Sequence, residues 1–297
     1  MDTQIAPWRP DIVAVLGTAA LLYAWGWTAL RRTGHEQIAA GACCAAYAAG
    51  LTLIAGALLS PLAFYQRIHL SVHMVQHELL MIGGAPLILL GRPFPFLVWG
   101  LPRKARRQLG SAFRRRAVAR QSFDVLSRPS TAWALSTAVL WIWHAPVLYD
   151  AALASGPLHD VQHISFFLAG LLFWWPIVGT SPFRHRLTLP GRVAYLVAGI
   201  GQRSVLGAII VLSGRVLYMP YADLVVPGSG SPLADQRLAG GIMWFGSGLV
   251  LLCAAVMVIV RTSERESLPY MSQDARAFLL EPLLSGAAVR TSIPTSV

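Results

Sequence analysis

The sequence has little charge and few cysteines for its length. Only 12% of its 297 residues are Asp, Glu, Lys or Arg, about half the share that a soluble domain carries. Cys43, Cys44 and Cys253 lie in apolar segments without C-x-x-C spacing, so neither a disulfide framework nor a cysteine metal site is expected. The sequence also has no P-loop, glycine-rich nucleotide fingerprint or nucleophilic triad, and we therefore do not expect an enzyme.

Long apolar runs make up most of the remaining chain. Each is long enough to cross a bilayer as a helix, and loops rich in Pro, Gly and Arg separate them. The runs are 11–30, 38–59, 68–90, 130–149, 158–178, 191–213 and 238–260. The sequence therefore predicts an all-α integral membrane protein, with a bundle of about seven transmembrane helices within residues 1–260.

Two polar segments accompany this predicted bundle. The loop 92–129 is strongly basic and begins with an apolar stretch, Phe94 to Trp99, which we expect at the membrane interface. Residues 261–297 form a polar tail, expected in the cytoplasm, with one apolar patch from Ala277 to Leu284. Because a basic loop between membrane helices faces anionic lipid headgroups, the net charge of +11 does not indicate nucleic-acid binding.

The basic residues also predict an orientation. Most of the 24 Lys and Arg residues fall in the loops and the tail on one side of the predicted bundle. The positive-inside rule assigns that side to the cytoplasm. The N-terminus is then expected outside and the C-terminus in the cytoplasm.

Six of the eight histidines fall in the third, fourth and fifth predicted helices. They are His69, His73, His77, His144, His159 and His163. At a rise of 1.5 Å per residue, His73 lies about 8 Å and His77 about 14 Å below the outer boundary. His144 approaches a similar depth near the end of an oppositely directed helix. Three helices are therefore predicted to bring imidazoles to one layer near the outer membrane face.

The spacing of these histidines favours metal binding. The segments 73–77 and 159–163 share the pattern H-x-V-Q-H, and residues four apart lie on one helix face. Imidazole is a common ligand of copper, zinc and iron, and ionisable residues inside a membrane usually have a function. The predicted ligands are His73, His77, His144 and His163, with His69 or His159 as entry or alternate ligands.

Thioethers and carboxylates near the histidines extend this prediction. Met74, Met81 and Met243 lie close by in the predicted bundle, and thioethers favour Cu(I). We predict that Met74 or Met243 contributes to Cu(I) affinity. Asp160 and Glu78 are candidates for orienting an imidazole through a hydrogen bond.

Arg203 is an unusual residue in the middle of the sixth predicted helix, beside Gln202. A charge at this depth costs free energy and usually has a partner or a function. Two interpretations stay open. Arg203 either pairs with a carboxylate such as Glu78 or lines a polar cavity.

Four separated motifs surround the candidate ligands. They are His69-x3-His73-Met74-Val75-Gln76-His77 with Gly84-Ala85-Pro86-Leu87, Trp143-His144-x-Pro146, His159-x3-His163 and Asp235-Gln236-x2-Ala239-Gly240-x2-Met243-Trp244. Together they resemble the CtaG family of cytochrome oxidase assembly proteins, over about residues 40–260. The resemblance implies a multi-pass protein of the bacterial inner membrane that helps to insert copper into the catalytic subunit of a haem–copper oxidase.

Three functions stay open on this basis. In the first, a copper-binding assembly factor holds Cu(I) by its imidazoles, with the lipid bilayer, the oxidase subunit and an upstream copper donor as partners and a homodimer as a candidate assembly. In the second, a b-type haem protein uses paired histidines as axial ligands, although two histidines one turn apart cannot both ligate one iron axially. In the third, a metal-free scaffold acts through its basic loop and tail.

Overall fold

The structure, a computed structural model, describes residues 9–34, 39–112, 117–179, 187–222 and 230–262. Every regular element within these ranges is helical. Six helices are long and apolar enough to cross a membrane, and a bent pair makes up to seven. The predicted all-α bundle of about seven spans is thus confirmed, whereas the predicted tail beyond Thr262 lies outside the described residues.

Eleven helices of the described ranges are numbered along the chain. They are α1 (Pro10–Arg32), α2 (Gly41–Leu59), α3 (Leu70–Leu90), α4 (Pro93–Gly100), α5 (Arg103–Ala112), α6 (Val118–Leu126), α7 (Pro129–His144), α8 (Pro146–Ala154), α9 (Gly156–Val178), α10 (Leu189–Leu212) and α11 (Pro232–Thr262). Single helical turns at Leu62–Tyr65 and Met219–Ala222 precede α3 and follow α10. The spans are therefore α1, α2, α3, the bent pair α7–α8, α9, α10 and α11.

The fourth span is bent, and the prediction of one continuous helix over 130–149 was wrong. Helix α7 ends at His144, and α8 leaves it at an angle of 72°. Ala145 between them has extended backbone angles, because Pro146 disfavours a helical conformation at the residue before it. As a result α8 turns away at the end of α7, and Tyr149 lies beside the histidines.

Two spans contain a π-helical segment: Leu79–Gly84 in α3 and Ile242–Gly246 in α11. Such segments occur frequently near functional sites. The first lies against α9, where a Cβ at Gly170 would come within 2.9 Å of the Met81 backbone. The close approach of α3 and α9 at this point therefore depends on glycine.

Helix α4 packs closely on the first span. A Cβ at Gly26 of α1 would lie only 1.8 Å from the carbonyl oxygen of Phe96, and Phe96 itself is fully buried. Tyr23 and Tyr47 stack beside it with ring centroids 3.9 Å apart. Phe96, from the apolar stretch expected at the membrane interface, is thus part of a packed core, which we call the N-terminal cluster (Tyr23, Tyr47 and Phe96).

Candidate metal site

Five imidazoles converge at one end of the bundle. They are His73 and His77 of α3, His144 at the end of α7, and His159 and His163 of α9. Their ring centroids lie 4.1 Å apart for His159 and His163, 4.3 Å for His73 and His77, 5.1 Å for His73 and His159, and 6.2 Å for His77 and His144. We call these five residues the histidine cluster. Four of them are buried, and His159 is partly exposed.

The direction of the helices explains this convergence. Helices α3 and α9 begin at the end of the bundle where α7 stops. The residue pairs 73/77 and 159/163 lie within the first two turns of their helices, and His144 is the last residue of α7. The predicted layer of imidazoles from three helices is therefore present at this end of the bundle.

Three members of the cluster form a group with metal-ligand spacing. One ring nitrogen from each of His73, His159 and His163 lies within 4.8 Å of the other two, and the Nε2 atoms of His73 and His159 are 3.2 Å apart. A metal–imidazole bond of about 2 Å separates two ligand nitrogens by about 3.3–3.5 Å in tetrahedral or trigonal geometry. These three residues, which we call the outer triad, are thus spaced to hold one ion with little movement.

The hydrogen bonds of His73 determine which of its nitrogens is free. The Tyr221 hydroxyl donates to the carbonyl oxygen of Gln66 at 2.7 Å and lies 3.0 Å from His73 Nδ1. Burial raises the pKa of the Tyr221 phenol, so the hydroxyl keeps its proton. Its oxygen therefore accepts a hydrogen bond from Nδ1–H, which leaves the lone pair of Nε2 for a ligand. The hydroxyl of Tyr149 lies 2.9 Å from the same Nδ1.

His144 is oriented in the same way. Its Nδ1 lies 2.7 Å from the carbonyl oxygen of Leu140, which can only accept, so the proton is on Nδ1. The Nε2 atom of His144 is buried without a hydrogen-bonding partner among the described residues, as are both ring nitrogens of His77 and Nε2 of His163. Buried polar atoms normally have partners, because leaving them without one costs free energy. Neutral imidazoles with free nitrogens fit a soft or borderline metal ion.

Aromatic side chains surround the imidazoles. The Phe166 ring lies 4.4 Å from that of His77 and 5.8 Å from that of His144, measured between centroids. Tyr149 and Tyr218 pack at 4.2 Å, and the Tyr218 hydroxyl donates to the carbonyl oxygen of His144 at 3.2 Å. These rings shield His77 and His144 from water, and the hydrogen bond from Tyr218 fixes the end of α7.

Asp235 attaches α11 to the beginning of α3. Its carboxylate accepts from the backbone N–H groups of Leu70 at 2.6 Å and Ser71 at 3.3 Å, and from the Ser71 hydroxyl. These are among the N–H groups that have no partner inside a helix. An acidic residue from another helix thus caps the turn that carries His73.

The charged side chain of Arg203 pairs with Glu78, the residue that follows His77 in the chain. Its guanidinium lies 3.3 Å from Glu78 Oε1 and 3.8 Å from the sulfur of Met81. Arg203 is only 2% exposed, so this ion pair is shielded from water. Of the two interpretations of Arg203, the pairing with Glu78 is confirmed.

The remaining predicted residues have different surroundings. Met74 and Met243 are buried in the apolar core, and His69 is partly exposed just before α3. Asp160 and Glu78 were candidates for orienting an imidazole, but both carboxylates pair with arginines instead. Asp160 pairs with Arg9 at 3.0 Å, and Glu78 pairs with an arginine of α10. Opposite charge is the stronger partner for a carboxylate in a medium of low polarity.

The family comparison fits this geometry. The model of the cytochrome c oxidase caa3 assembly factor family (Caa3_CtaG) matches residues 21–265. The chain belongs to this family. The match covers the helices that carry the histidine cluster and α11, which holds Asp235, so the site lies within the part that defines a Caa3_CtaG protein.

Similar proteins occur in mycobacteria. The chain is 28% identical over 282 residues to uncharacterised proteins of Mycobacterium bovis and Mycobacterium tuberculosis, and 24% identical over 277 residues to one of Mycobacterium leprae. These matches cover 91% of this chain but only 41% of each relative, so the chain spans about two fifths of their length. No solved structure matches it significantly.

Proposed function

We propose that this Caa3_CtaG protein binds Cu(I) at the histidine cluster and supplies it to the catalytic subunit of a haem–copper oxidase during assembly. The observation that carries the proposal is the convergence of five imidazoles, three of which have buried nitrogens without a partner among the described residues. Membership of an oxidase assembly family indicates that the process is the assembly of the oxidase. In this proposal the copper ion is cargo that the protein passes on, not a catalyst.

The ligand chemistry favours transient binding. The outer triad of His73, His159 and His163 offers neutral nitrogens without a thiolate, and imidazole suits copper. Such a set holds an ion less firmly than cysteine thiolates would, so the ion is available for transfer. His69, Met74 and Met243 remain proposed auxiliary ligands on the path of the ion.

The expected orientation puts the histidine cluster near the outer face of a bacterial inner membrane. His159 is the partly exposed member, and its neighbours Val161 and Ile164 are 52% and 59% exposed on α9. Apolar side chains exposed on a spanning helix contact lipid or another membrane protein. We therefore propose that a copper donor loads the cluster at His159 and that the oxidase subunit docks laterally.

The test measures copper in the oxidase itself. A bacterial strain lacking this gene is complemented with the wild type, with His73→Ala or with His163→Ala, and the oxidase is purified from each. We expect both variants to give oxidase that contains haem but has a reduced copper-to-haem ratio. The matched control is His35→Ala, which removes an imidazole between the first and second predicted helices.

A metal-free scaffold predicts a different result. If the protein only holds subunits together, both histidine variants restore the oxidase with a normal copper-to-haem ratio. That outcome would overturn the proposed copper function while leaving the family assignment in place. Equal expression of all variants in the membrane must accompany either result.

A further inference from the structure

We propose a second Cu(I) position between His77 and His144, deeper in the bundle than the outer triad. This inference rests on the proposed copper function and adds a location that the triad alone does not include. The ion would enter at His159, reach the triad, and move inward to the pair formed by His77 and His144.

The hydrogen bonds leave both side chains of this pair ready to bind. His144 Nδ1 donates to the Leu140 carbonyl oxygen, so Nε2 carries the free lone pair, and that atom is buried without a partner among the described residues. Both nitrogens of His77 are likewise buried and unpartnered. Two buried imidazoles that lack partners for three nitrogens are costly unless a ligand satisfies them.

The distance between the two rings suits one Cu(I) ion. Their centroids are 6.2 Å apart and their planes are inclined by 82°. A ring nitrogen lies about 1 Å from its centroid and about 2 Å from a bound metal, so two imidazoles on opposite sides of one ion have centroids about 6 Å apart. Linear coordination by two imidazoles does not fix the angle between their planes, so the observed inclination is compatible with it.

The surroundings of the pair favour a monovalent ion with few ligands. Phe166 lies beside both rings, and His77 and His144 are only 3% and 4% exposed. Glu78, the residue after His77 in the chain, pairs with Arg203 through Oε1, and its Oε2 is buried without a partner among the described residues. A singly charged ion between neutral imidazoles costs less to bury than a divalent ion would.

His77 also connects the two positions. Its ring lies 5.4 Å from that of His163 in the outer triad and 6.2 Å from that of His144. An ion can therefore exchange one imidazole for the next without leaving the cluster. The geometry points to a two-position path whose inner end is His144.

The test counts Cu(I) per chain in the detergent-purified protein. The full chain is loaded with copper under ascorbate and titrated against a chromogenic Cu(I) chelator, beside His144→Ala, the double variant His73→Ala/His163→Ala and the control His35→Ala. We expect about two Cu(I) for the wild type and the control, and about one for each of the other variants. X-ray absorption of the ion left in the double variant should show two nitrogen ligands.

Three results would count against this inference in different ways. About one Cu(I) in the wild type, unaffected by His144→Ala, overturns the inner position but keeps the proposed function. The same is true if the wild type shows only three-coordinate copper at full loading, a measurement that does not depend on any variant folding. No bound Cu(I) in the wild type overturns the proposed function itself.

Discussion

The N-terminal cluster and the histidine cluster show two ways of filling a membrane protein interior. In the N-terminal cluster the buried polar atoms of Tyr23 and Tyr47 reach backbone carbonyl oxygens, at 2.7 Å and 3.5 Å, and backbones touch at Gly26. In the histidine cluster several buried nitrogens have no partner among the described residues. The polar atoms of the first region are satisfied within the protein, whereas the second region has unpartnered nitrogens that the proposed metal ion would satisfy.

The two regions should therefore respond differently to substitution. Changes in the N-terminal cluster should lower stability without altering metal affinity. Changes at the histidine cluster and its supports should alter metal affinity more than stability. The predictions below test this separation, beginning with the largest expected effect.

Arg203→Met should cost about 3–5 kcal/mol of stability, because it leaves the Glu78 carboxylate without its partner in a buried position. The second change Glu78→Gln should recover most of the loss. Thermal unfolding in detergent of the single and double variants measures this. Equal instability of both variants would show that the ion pair is not the cause.

Gly26→Ala should cost about 3 kcal/mol, because its Cβ would overlap the Phe96 carbonyl oxygen and force α1 and α4 apart. The folded fraction should still bind Cu(I) with wild-type affinity. Unfolding temperature and chelator competition on the same sample give both values. Gly17→Ala, where a Cβ meets nothing within 4 Å, is the control, and a loss of copper affinity in Gly26→Ala would refute the separation of the two regions.

Asp235→Ala should cost about 1–2 kcal/mol, as the loss of a helix cap does, and should also weaken Cu(I) binding because the turn bearing His73 loosens. Asp235→Asn keeps one acceptor oxygen, so its stability and its Cu(I) affinity should lie between those of the wild type and of Asp235→Ala. Hydrogen exchange of the Leu70 and Ser71 amides reports the cap directly. Unchanged exchange in Asp235→Ala would contradict this role.

Tyr221→Phe should weaken Cu(I) binding about tenfold with little effect on stability, because His73 loses an acceptor that orients its ring. Chelator competition measures the affinity. Tyr195→Phe serves as a matched control, since the Tyr195 hydroxyl donates to the Phe173 carbonyl oxygen at 2.9 Å, outside the cluster. Equal Cu(I) affinities of Tyr221→Phe and Tyr195→Phe would show that the Tyr221 hydroxyl does not support metal binding.

The helical spans and the convergence of the imidazoles could be predicted from the sequence. Helix length, hydrophobicity and the spacing of four residues between histidines depend only on local geometry. Those signals were enough to place His73, His77 and His163 in one layer. The cost of a lone charge in lipid indicated a partner or a polar cavity for Arg203, and only the structure shows that the partner is Glu78.

The supports of the site could not be predicted in the same way. Tyr221 lies in a short turn between spans, Tyr149 reaches His73 only because the chain bends at Pro146, and Asp235 caps a helix 165 residues away in sequence. Each contact depends on tertiary packing rather than periodicity. Trp143-x2-Pro146 and Asp235 were visible as motif residues, but nothing local indicated what they contact.

Metal content of the purified protein tests the central claim most directly. Copper, zinc and iron per chain are measured in the wild type and in the double variant His73→Ala/His163→Ala after loading with the metals under reducing conditions. The account predicts at least about one copper per wild-type chain with negligible iron, and about one copper fewer in the variant, because the variant lacks two ligands of the outer triad. Stoichiometric iron with a haem absorption band, or equal copper in both proteins, would contradict it.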